Sequence, residues 1–110
     1  MNIQVTRNMN NIIWFALVGV KVIVGNEYIT DADGAYVNVA CLAEDETEFI
    51  AKLHKNFKHN KFTVFNIEEI ETEKTLNIDN EDNAEKLELL DEIKEGYSFA
   101  WGTFHTFDDE

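Results

Sequence analysis

The residues of this chain that could do chemistry are three histidines, one cysteine and twenty-two carboxylates, and their spacing decides what is open to them. His54 and His59 are five apart on a segment that reads as helix. At about 3.6 residues per turn this turns them about 140° away from each other. His105 is remote in sequence, and with a single cysteine no HxH, HExxH or paired-cysteine pattern is available to hold zinc. Asp31, Asp33 and Gly34 look like the start of a calcium loop. An EF-hand loop from Asp31 would need glycine where Tyr36 stands and glutamate where Leu42 stands, so a turn is expected instead. No metal and no other cofactor is expected.

Covalent catalysis finds no better footing. Cys41 sits inside an apolar run and reads as a small packing residue. There is no GxSxG and no glycine loop to cradle phosphate, so the chain is not expected to be an enzyme. The aromatics Tyr97, Phe99 and Trp101 alternate on one strand face and are expected to fill core, with Trp101 the one that could reach the surface.

The carboxylates are distributed unevenly. The formal net charge is −13, and nearly all of it lies beyond residue 43. Read as a helix from Ala84 to Glu95, the segment puts Glu85, Glu88, Asp91, Glu92 and Glu95 on one arc of roughly 120°, with Leu87, Leu89, Leu90 and Ile93 turned away. Most of these acids are like-charge neighbours at i,i+3 or i,i+4, each pair costing about 0.2–0.5 kcal/mol. Asp91, Glu92 and Glu95 also sit at the negative end of the helix dipole. Such a stripe is either a solvated face or a docking surface for a cation. With the acidic loop Asp79, Glu81 and Asp82 it is the expected partner-binding site, steering a basic protein by charge.

The elements that must position these residues can be read in order. Met1 to Asn11 is Asn-rich and aperiodic, an expected loose N-terminal arm of a single domain spanning residues 1–110. The apolar run "IIWFALVGVKVIV", Ile12 to Val24, has the composition of a strand buried on both faces; it is too short, and broken by Lys21, to be a membrane span. A turn region with Gly25–Asn26 and Asp33–Gly34 leads to a second strand, Ala35 to Ala43. Asp45 and Glu48 resemble a capping box for a helix whose apolar stripe is Phe49, Ile50, Leu53 and Phe57, with lysines opposite and Asn60 as a left-handed stop. "KFTVFNIEEIE" alternates as a strand, "KTLNI" reads as a short return strand, and Asp82 with Glu85 opens the acidic helix, which stops at Gly96. "YSFAWGTFHTF" reads as a final strand.

From Tyr36 the order is therefore β-α-β-β-α-β, that of a ferredoxin-like fold, with an extra N-terminal strand. The expected architecture is α+β: a two-layer sandwich with both helices on one face of a four- or five-stranded sheet, burying Phe49, Leu53, Phe57, Leu87, Leu90 and Ile93. Without the "KTLNI" strand the order becomes ββαβαβ, of the same class.

A lone cysteine excludes an intramolecular disulfide and suits a cytoplasmic setting. The negative charge disfavours direct contact with nucleic acid or anionic membrane. A compact, acidic α+β domain without catalytic motifs resembles the immunity proteins of bacterial toxin systems. That resemblance implies an antitoxin-like inhibitor that occludes the cleft of a basic, nuclease-type toxin with carboxylates. A nucleic-acid mimic of the anti-restriction or anti-CRISPR type, using the stripe with Asp108, Asp109 and Glu110, is the alternative. A small structural or regulatory domain with incidental charge is a third.

Overall fold

In the computed structural model the described residues are 11–109. The expected arm, Met1 to Asn11, lies outside them except for its last residue. The chain is α+β, and its described residues form a five-stranded antiparallel sheet and two α-helices. Strand β1 (Ile12–Val22) pairs with β2 (Gly34–Ala43) on one side and with β3 (Phe62–Thr72) on the other. Two three-residue strands, β4 (Phe99–Trp101) and β5 (His105–Phe107), line up along the free side of β2. The sheet order is β3-β1-β2-β4, with β5 also on β2.

β1 is central, and it fully buries Phe15 on one face and Ala16, Val18 and Val20 on the other. Both faces must then be covered, and each helix covers one. Helix α1 (Glu46–His59) lays Phe49, Leu53 and Phe57 against Ala16, Val18, Val37 and Val39. Helix α2 (Ala84–Lys94) lays Leu89, Leu90 and Ile93 against Phe15, Ala40 and Ala100, with Leu87 only partly buried. The expectation of both helices on one face is therefore corrected. The apolar residues of β1 and β2 have both parities, and each parity takes its own helix.

α1 forms as its sequence dictates. Asp45 accepts from the Glu48 N–H at 2.8 Å, and Glu48 accepts from the Glu44 N–H at 3.0 Å. The left-handed residue at its end is Lys61 (φ 67°), not Asn60, whose backbone stays at φ −99°.

The expected "KTLNI" strand is absent. Thr72 and Thr75 close a 3₁₀ turn over Glu73–Thr75, and Leu76 alone is buried. The Asn/Asp-rich run that follows prefers local side-chain turns: Asn77 accepts from the Asp79 N–H at 3.0 Å and Asn80 from the Asp82 N–H at 2.9 Å. Asn80 thereby caps a second 3₁₀ turn, Glu81–Asn83. The acidic helix beyond it starts at Asn83 with no side-chain cap, so Asp82 does not cap it as expected. The order from Tyr36 is β-α-β-α-β-β, so the ferredoxin-like order is not what the chain adopts.

Two register shifts mark β3, at Phe65 and near Glu69, whose φ is 54°. The first lays the Phe65 ring over Gly19, beside Tyr36 and Phe107, where α2 no longer covers the sheet. The Lys21 ammonium stands 5.0 Å from the Phe107 ring centroid. No helix among the described residues is long and apolar enough to cross a membrane.

Candidate protein-interaction site

The acidic segment has a defined geometry. Glu88, Asp91, Glu92 and Glu95 are exposed on α2, and Asp79, Glu81 and Asp82 are exposed in the turns before it. Both lysines of α2 form their ion pairs outside this stripe, although Lys94 is near enough to Asp91 to feel its charge. Lys86, only 6% exposed, reaches Glu71 at 2.9 Å and Glu69 at 3.7 Å, and Lys94 reaches Glu73 at 2.9 Å. Among the described residues no salt bridge reaches Glu88, Asp91, Glu92 or Glu95. The two cations in the helix that could neutralise its own stripe are thus committed elsewhere.

Glu85 is placed differently from its neighbours. It is half-buried and accepts from Asn38 Nδ2 at 2.8 Å and from the Thr103 N–H at 3.0 Å. Burial on its own raises this carboxyl. The hydrogen bonds from Asn38 and Thr103, with His105 nearby, outweigh it and hold the group below the usual glutamate range. Glu85 ties α2 to the segment between β4 and β5, where Gly102 leaves room for it: a Cβ there would stand 2.6 Å from Glu85 Oε1. Asp109 is also committed, accepting from Lys21 Nζ at 2.6 Å.

The end of α2 joins the stripe to something the sequence did not disclose. Gly96 has φ 122°, and past it the Tyr97 N–H donates to the Glu92 carbonyl at 3.3 Å while the Gly96 N–H donates to Ile93 at 3.1 Å. This is the paired bonding of a Schellman stop. It carries Tyr97 back beside Glu92, at one wall of a groove of about 380 Å³. The groove runs over the β4 edge and is lined by Tyr28, Asn60, Glu92, Tyr97, Phe99 and Trp101. Tyr28 and Tyr97 are 56% and 61% exposed, unusual for rings with no assigned role. Tyr28 is brought there by Asn26, whose Oδ1 accepts from the Tyr28 N–H at 2.7 Å and whose Nδ2 donates to the Lys61 carbonyl at 2.8 Å.

Cys41 is buried in β2, where burial pushes its thiol up to about 11, with Lys52 opposing and Glu48 adding to the shift. Among the described residues no group of three or more His, Cys, Asp or Glu is placed to hold a metal ion. The arrangement offers carboxylates, exposed aromatic rings and a strand edge, which are the means of binding a protein. Comparisons of the chain with protein families, with curated proteins and with solved structures find no match.

Proposed function

We propose that this is an acidic protein-binding domain that inhibits a cationic partner, in the manner of the toxin-immunity proteins it resembles. The observation that carries the proposal is the position of Glu92. It belongs both to the unneutralised stripe of α2 and to the groove holding Tyr28, Tyr97 and Trp101. Charge alone would suit a solvated face. A carboxylate stripe that ends in exposed aromatic rings joins electrostatic steering to the residue types that anchor protein interfaces. The expected partner is a basic protein such as a toxin domain, and occlusion of its substrate cleft is the expected mode of inhibition.

The test is to recover and identify the bound protein from the source cell, then to measure its association with wild type and with Glu88→Gln/Glu92→Gln. A slower on-rate and a flatter dependence on salt are expected for the variant. An identified partner that is acidic, or one whose binding is indifferent to both substitutions, would refute the proposal.

A further inference from the structure

The free side of β4 has a defined hydrogen-bonding phase. The Leu42 N–H donates to the Ser98 carbonyl at 3.0 Å, and the Gly102 N–H donates to the Asn38 carbonyl at 2.9 Å. Ala100 lies opposite Ala40 between them. Antiparallel alternation then turns the backbone groups of Ser98, Ala100 and Gly102 toward β2, and those of Phe99 and Trp101 outward. Among the described residues no strand pairs with this outer side.

Both sides of the edge are furnished with side chains. Toward α1 stand Tyr28 and Trp101, packed edge-to-face with ring centroids 5.1 Å apart. Toward α2 stand Glu92 and Tyr97, and among the described residues no lysine or arginine lines the groove. An extended segment added to β4 would send alternate side chains to these two sides. The first side suits an apolar residue. The second, an anion beside an aromatic ring, selects a cation, and a guanidinium satisfies both by bonding the carboxylate and stacking on the phenol. The opposite edge of the sheet is unsuited: β3 is interrupted by two register shifts and exposes Glu68 and Glu69.

We propose that the β4 edge takes an extended, arginine-bearing segment of the partner as an added strand. The arginine lies between Glu92 and Tyr97, and its chain neighbour lies against Tyr28 and Trp101. This rests on the reading of the protein as a binder of a basic partner, and it assigns the edge, the backbone pairing and the anchoring side chain.

The test uses the full chain, isotope-labelled for NMR, and a blocked peptide, acetyl-TVRVT-amide, with lysine and glutamine counterparts at the central position. Amide shifts centred on Phe99 and Trp101, and on the Trp101 indole, are expected with the arginine peptide. The glutamine peptide should bind more weakly by about two- to fivefold or more. Tyr97→Ala and Glu92→Gln should each erase most of that preference, whereas Glu46→Gln, exposed on α1 and outside both the groove and the acidic stripe, should leave it within about twofold. Equal binding of the arginine and glutamine peptides, no binding of either, or shifts spread along α2 without Phe99 and Trp101 would overturn the proposal. So would a dimer of the free protein that Tyr97→Ala abolishes, since a second copy would then own the edge. The two readings fail separately. If Glu88→Gln weakens the whole partner and Tyr97→Ala does not, the edge proposal falls and the acidic face stands. If the arginine peptide binds the edge but the identified partner is not basic, the inhibitory function falls and the edge stands.

Discussion

The Tyr97 N–H donates to the Glu92 carbonyl across Gly96, and this one bond sets an aromatic ring and a carboxylate at the same groove. At φ 122° an L side chain is strained even though nothing lies within 4 Å of a Cβ built there. Gly96→Ala is therefore expected to cost about 1–3 kcal/mol in denaturant unfolding through the backbone alone. A variant as stable as wild type would show that the Schellman stop is not needed to hold Tyr97.

The acidic stripe should cost the free protein stability. Removing the charges of Glu88 and Glu92 abolishes the Glu88–Glu92, Glu88–Asp91 and Glu92–Glu95 repulsions. At about 0.2–0.5 kcal/mol each, the double Gln variant should gain roughly 0.5–1.5 kcal/mol at low salt. The gain should shrink as salt is added. Thermal unfolding at two ionic strengths measures both effects.

Lys86 makes the opposite case, a cation buried with its partners. Glu71→Gln leaves that ammonium with only the more distant Glu69 and is expected to destabilise by about 2–3 kcal/mol. Lys86→Met removes the more deeply buried charge and leaves carboxylates that water can reach, so it should cost less than Glu71→Gln. Chemical denaturation of the two variants side by side is the check.

Glu85 should give the protein part of its acid sensitivity. Its folded-state pKa lies below the unfolded value, so its contribution is present above about pH 4.3 and is lost as pH falls through the folded pKa. Glu85→Gln should lower the urea midpoint at neutral pH, and the gap to wild type should close in acid. Gly102→Ala, which crowds the same carboxylate, should cost less in a Glu85→Ala background than in wild type.

Cys41 should be silent toward thiol reagents in the native state. Its 1% exposure and raised pKa withhold both access and thiolate. Labelling should proceed at the rate at which the sheet opens, and fast stoichiometric labelling of native protein would contradict the buried placement.

Much of the frame was legible in the residues themselves. The Val- and Ile-rich run Ile12 to Val24, the Asp45 cap and the Phe49–Leu53–Phe57 stripe each carry a strong local signal. The run forms a strand that ends two residues early, at Val22, and the cap and stripe form their helix. The faces of the helices were not legible. Phe15 and Ala16 are both apolar and both buried, so parity could not say which helix lies where. "KTLNI" misled because Leu76, a single buried anchor, imitates the start of an apolar alternation, whereas Asn77 and Asn80 turn the backbone on itself. The exposed acids of the candidate site follow from helical projection, except that Glu85 is drawn inward by Asn38, forty-seven residues away in sequence. The groove had no sequence signal, because Tyr28 meets Trp101 only when the loop held by Asn26 folds against the far strand.

Placing the helices on opposite faces also separates their charge. From Glu46 to Lys61 two acids face four lysines, whereas from Glu81 to Glu95 seven acids face two lysines. With the sheet between them, the molecule has an electrical front and back, and a field or a charged surface will turn it before any contact is made. A positively charged matrix should therefore hold this protein by its α2 side, leaving α1 pointing into solution.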